Sequence, residues 1–183
     1  MALDNELDLT VDNYEYDYEQ ELYEAIALLG FWDEGKATAT PGGVVFTASD
    51  ISGVPEFIAN GMVLLDIRDD ETRPVEFLTL DLVLATKADP NKADIIKQKL
   101  YDVNTGFKQG MFFMDDENNF CFETSFPVVR GDVETSLELF IAQYMDTMNY
   151  IDGVYPYLLR TIAHPEVADF AEYIVTMAGE EAE

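Results

Sequence analysis

The chain has 183 residues, of which 48% are hydrophobic and 13% aromatic, enough to bury one substantial core and too apolar for a chain disordered throughout. Its 37 acidic residues against 10 basic ones leave a formal charge of −27, which repels phosphates and anionic lipid and so disfavours nucleic acid and membrane as direct partners. A single cysteine, Cys121, excludes an intrachain disulfide or a thiolate metal cluster, and a single histidine, His164, excludes a cage of imidazoles.

The charge is unevenly spread. No Lys or Arg precedes Lys36 and none follows Arg160, whereas Lys87, Lys92, Lys97, Lys99 and Lys108 gather around one central segment. The acidic ends at 1–13 and 179–183 carry no sustained apolar pattern and are expected to fray, leaving one domain over 14–178. Met1 is followed by an acidic stretch rather than a basic region and an apolar run, and no later apolar stretch has bilayer-spanning length. A cytoplasmic protein is therefore expected.

Taken in chain order, Tyr18, Leu22, Ala25, Ile26 and Leu29 recur at three- and four-residue steps and predict a helix over about 15–30, with Gly30 as its cap. Glu15, Asp17 and Glu19 crowd its first turn, where the helix dipole favours negative charge. From Gly43 the period becomes two, which predicts strands at Val44 to Thr47, Met62 to Arg68 and about Val75 to Thr86. In the last of these Leu78, Leu80, Leu82 and Leu84 share one face while Thr79 and Asp81 point the other way. The polar run Asp69 to Thr72 is short enough to join antiparallel neighbours.

Asp89 and Pro90 read as the cap and first residue of a second helix carrying Ile96, Leu100 and Val103, with Lys92 and Lys99 on its outer side. Phe112 to Met114 and Phe120 to Phe122, flanking Asp115 to Asn119, predict a hairpin. Gly131 and Asp132 open a third helix striped by Val133, Leu137, Phe140, Ile141, Tyr144 and Met148. Gly153 and Pro156 are expected to break it, and Pro165 to open a last helix with Val167, Phe170, Ile174 and Met177 inward. The expected fold is α+β: a mainly antiparallel five-stranded sheet packed by helices, in the order αβββαββα with an added C-terminal helix.

Asp115, Glu117 and Asn119 alternate like the first ligands of a calcium loop, but the glycine at its sixth place and the bidentate glutamate at its twelfth are missing. A polar hairpin turn is the better reading, and no metal is expected. His164, directly before Pro165, reads as the opening of a helix rather than a general base. Cys121, between two phenylalanines, reads as a small buried hydrophobe. The pair Gly42 and Gly43 continues into neither nucleotide-binding glycine pattern, so no catalytic residue and no cofactor are expected.

The stretch Leu100 to Phe126, a helix end with Asn104, then Gly106 and Phe107, the aromatic strand Met111 to Met114, the Asp-rich turn and Phe120 to Phe126, resembles the bacterial YbjN-like family of sensory transduction regulators. The order of elements over residues 15–152 is also similar to that of the small chaperones of bacterial type III secretion. The resemblance implies a non-catalytic protein-binding module, chaperone-like or regulatory, that grips a peptide segment or a partner protein. It supplies no catalytic residue. The connection Asp50 to Gly61 and the segment 153–183 exceed that compact unit. The alternatives are an acidic nucleic-acid mimic seated on a basic protein site, or an unrecognised enzyme.

Phe112 and Phe113 must point to opposite sides of their strand. With Phe120 and Phe122 they form the candidate partner surface, and a homodimer through this hairpin or its neighbouring helix is expected.

Overall fold

The computed structural model describes residues 11–32, 36–49, 58–66, 75–85, 88–106 and 110–180. Outside them lie residues 1–10 and 181–183 of the expected tails, the Asp69 to Thr72 turn, positions 50–57 of the long connection, Lys87, Phe107 and Lys108. The side chains of Glu15, Asp17 and Met177 also lie outside.

Helix α1 (Val11–Ala27) leads into strands β1 (Ala37–Thr40), β2 (Gly43–Ser49), β3 (Ile58–Asp66) and β4 (Val75–Ala85). Then come α2 (Ala93–Thr105), β5 (Met111–Met114), β6 (Phe120–Val129), α3 (Val133–Ala163) and α4 (Phe170–Glu180). The strands form one antiparallel sheet in the order β1-β2-β3-β4-β6-β5. The protein is thus α+β, with six strands among the described residues rather than the expected five.

The additional strand is β1, whose sequence Ala-Thr-Ala-Thr offers no large apolar residue to mark a buried face. Its partner is fixed by a two-residue turn, Pro41 and Gly42, that brings Thr40 opposite Gly43. Helix α1 starts at Val11, inside the stretch expected to fray, and ends at Ala27, where Trp32 Nε1 donates to the Ile26 carbonyl at 2.8 Å.

Alternation decides which sheet face is covered. Val44, Phe46, Val63, Leu65, Leu78, Leu80, Leu82, Leu84, Phe112, Phe120, Phe122, Phe126 and Val128 are all buried beneath the helices. Helix α1 lies over β1 and β2, α3 over β6, and α2 beside β5. Tyr18, Leu22, Tyr23 and Ile26 supply the buried stripe of α1. Tyr23 also accepts the Leu65 N–H at 2.7 Å, beyond Val63, the last residue of β3 to find a partner on β2. Trp32, Phe46 and Tyr144 close the core where α1, β2 and α3 meet, with Trp32 and Phe46 centroids 4.1 Å apart.

The third helix does not break at Gly153 and Pro156. It runs unbroken from Val133 to Ala163, because its apolar period continues through Ile151, Val154, Tyr155 and Leu158, all buried. Pro156 lacks the N–H that Asp152 would otherwise receive. One residue on, the Tyr173 hydroxyl of α4 donates to the Gly153 carbonyl at 2.5 Å and ties the two helices together there.

Nor does Pro165 open a helix. His164 caps the C-terminus of α3, its N–H donating to the Arg160 carbonyl, and residues 165–167 form a turn. Helix α4 begins instead after Asp169, whose Oδ1 accepts the Glu172 N–H at 3.0 Å as an N-cap. Phe170 and Tyr173 pack on Tyr157, while Val167 and Ile174, expected inward, are exposed.

Among the described residues one charge lies under the helices. Glu76, on the leucine face of β4, is only 3% exposed and meets Arg130 Nε at 3.2 Å. Burial, and then the nearby Glu19, raise its carboxyl above the usual glutamate value. A folded-state value above the unfolded one means that the Glu76 contribution is fully present below the unfolded pKa and is lost as pH rises through the folded pKa. In urea unfolding from pH 4 upward, wild type is therefore expected to lose stability relative to Glu76→Gln. A difference between the two that is constant, or that grows in favour of wild type with pH, would refute this.

Candidate functional site

Odd-numbered residues of β4, β5 and β6 turn away from the helices, and the register lays them out in rows with β2 and β3. One row runs Val45, Met62, Asp81, Glu123, Met111, and the next runs Thr47, Asn60, Val83, Cys121, Phe113. Val45 and Met111 are each half exposed and Met62 is 36% exposed, so no described element covers this side. Its polar members pair across strands: Thr79 with Ser125 at 2.8 Å, and the Thr47 hydroxyl donating to Asn60 Oδ1 at 3.1 Å.

At the centre of this face is a hollow of about 410 Å³ walled by Met62, Val83, Phe113 and Cys121, with Asp81 and Glu123 side by side on β4 and β6. Partial burial, then the neighbouring Glu123 carboxylate, raise Asp81 above the usual aspartate value. The Cys121 thiol is 6% exposed and is pushed up to about 11, chiefly by burial and next by Asp115. It stays protonated at neutral pH, as a small apolar filler does.

The four hairpin phenylalanines are divided by the strand alternation. Phe112, Phe120 and Phe122 lie on the covered side at 2%, 1% and 1% exposure, Phe112 and Phe122 packed with Tyr150 of α3, and all three belong to the core rather than to a partner surface. Only Phe113 reaches the open face. The hairpin therefore has one covered face and one open one, because α2 and α3 supply the cover that the sequence pattern left unassigned.

Strand β5 is also the sheet edge, and its backbone is not free to receive another strand. Asn104 of α2 takes both outward groups of Phe112, its Nδ2 donating to the carbonyl at 2.8 Å and its Oδ1 accepting the N–H at 2.9 Å. A side chain in that position blocks edge-to-edge pairing. Beside it Lys97, Tyr101 and Met114 line a smaller hollow of about 280 Å³.

The remaining candidates have structural partners. Asp115 Oδ1 accepts the Glu117 and Asn119 N–H groups at 2.9 and 2.8 Å, and Oδ2 accepts from Asn119 Nδ2 at 2.7 Å. These bonds, the Asn119 backbone first, hold its carboxyl below the usual range and complete an Asx-type turn with Asn118 at φ 64°. With both oxygens so engaged, added calcium is expected to leave the melting temperature unchanged, and a calcium-dependent rise of several degrees would contradict the turn reading. Among the described residues no group of three or more His, Cys, Asp or Glu could hold a metal ion. Lys92, expected on the outer side of α2, instead donates to the Ala163 carbonyl at the end of α3 and lies 3.8 Å from Glu166. His164 is exposed, 3.7 Å from Glu166.

No helix among the described residues is long and apolar enough to cross a membrane. Neither a family model nor a curated protein sequence matches the chain.

Proposed function

We propose that the protein is a non-catalytic, cytoplasmic binding module whose open sheet face grips a peptide segment of a partner protein. The observation that carries this reading is the one-sided cover of the sheet. Helices pack one face, while Val45, Met62, Val83, Phe113 and Met111 stand in adjoining rows on the other, around a 410 Å³ hollow. An open face whose apolar side chains flank a polar centre suits association with protein. The likeness to YbjN-like regulators and secretion chaperones rests on the sequence order of elements, and β1 and the unbroken α3 depart from the order expected there.

The blocked edge at β5 favours recognition by side chains across the face over addition of a strand there. The test is amide chemical-shift mapping with peptides selected from a random display library against the full chain. Shifts are expected at Val45, Met62, Val83 and Phe113. Shifts confined to α2 and α4, or failure to select any binder, would overturn the reading.

A second copy of the chain is the competing occupant, favoured by Met111 and Phe113 on the open side of the hairpin. Light scattering across micromolar concentrations separates the two: a dimer mass supports self-association, and a monomer mass leaves the face to another protein.

A further inference from the structure

Resting on the peptide-binding reading, we infer that the segment bound on the open face presents a lysine or arginine two residues from an apolar side chain on each side, its cation seated at Asp81 and Glu123. Three observations converge on this occupant. Asp81 and Glu123 are direct register partners on β4 and β6, and like charges placed opposite one another destabilise a sheet. No basic side chain lines the hollow among the described residues. Arg130 is spent on Glu76 beneath the helices and Lys92 on the end of α3, while Lys97 and Lys99 belong to α2. The hollow thus holds two adjacent carboxylates with no basic side chain among its described lining, and a cation from outside complements them.

The spacing of the same row gives the pattern. It reads Met62, Asp81, Glu123, Met111 on four successive strands, apolar at both ends and acidic in the middle. Neighbouring strands lie about 4.8 Å apart, so each methionine stands roughly 7 Å from the midpoint of the acidic pair. An extended peptide laid across the strands advances about 6.7 Å in two residues, and residues two apart point to the same side. The complementary segment therefore reads apolar, any, Lys or Arg, any, apolar. Val83 and Phe113, in the adjoining row, wall the aliphatic stem of the cation.

The experiment pans a random dodecapeptide display library on the full chain and on the Asp81→Asn, Glu123→Gln double variant, whose fold is checked by its melting curve. The wild-type selection is expected to enrich the stated pattern and the variant selection to lose it. An enriched arginine peptide resynthesised with citrulline should bind wild type roughly tenfold or more weakly. Enriched peptides that shift the open-face amides yet carry no basic residue, or that bind equally with arginine and citrulline, would overturn the cation and leave the peptide-binding face standing. Peptides that map to other surfaces, or no enrichment at all, would overturn both.

Discussion

Phe122→Ala is expected to lower the unfolding free energy by about 3–5 kcal/mol, against less than about 1 kcal/mol for Phe113→Ala on the neighbouring strand. Phe122 is 1% exposed, with its ring 4.8 Å from that of Phe112 and 6.3 Å from that of Tyr150, so truncation leaves a cavity between β5, β6 and α3 that packed neighbours cannot fill. Phe113 faces the open hollow, where lost contacts are replaced by water. Typical domains have about 5–15 kcal/mol of stability, so the first change is a large fraction of the total. Urea unfolding of the two variants measures the contrast. Similar losses would mean that the two faces of the hairpin are equally covered.

Gly110→Ala is expected to be nearly as damaging, for a different reason. Gly110 sits at φ +135°, a conformation open in practice only to glycine, and forcing another residue there costs about 1–3 kcal/mol. A Cβ at this position would also fall within contact distance of the Phe122 ring and 2.7 Å from the Glu123 carbonyl, and overpacking of that kind adds about 1–3 kcal/mol. Part of the clash is with the Phe122 ring, so Gly110→Ala combined with Phe122→Ala should cost less than the sum of the single changes. Strict additivity would place the clash elsewhere. Gly153→Ala is the control: nothing lies within 4 Å of its would-be Cβ, and in mid-helix the change should stabilise by about 0.5–1 kcal/mol.

What the sequence made legible followed from periodicity. The leucines of β4, the stripe of α1 and the cap Asp132 each announce themselves within a few residues, and the structure places them as read, whereas Asp89 caps a short 3-10 turn, Pro90–Lys92, ahead of α2 rather than α2 itself. Strand β1 escaped because alanine and threonine carry no burial signal, and its pairing is set by the turn after it. Gly153 and Pro156 misled because local propensity is overridden when the apolar face of a helix continues past them. Alternation alone puts Asp81 on the open side. That Glu123 stands next to it depends on β6 pairing with β4, more than thirty residues apart in sequence, which no local pattern encodes. The Asn104 clamp is hidden for the same reason, since it exists only once α2 lies beside β5. The hairpin phenylalanines were recognised as apolar, but which of them the helices cover could be read only from the assembled sheet.

The claim that this face is open in the folded chain is tested most directly by thiol labelling of single cysteines in a Cys121→Ala background. Val44 and Val45 are adjacent in β2 and point to opposite faces, the first fully buried and the second half exposed. Val45→Cys and Met62→Cys are expected to be alkylated at rates near those of the unfolded chain, whereas Val44→Cys should react only through unfolding. Strong protection of Val45→Cys and Met62→Cys, matching that of Val44→Cys, would mean that the face is covered in the folded protein and would contradict the account.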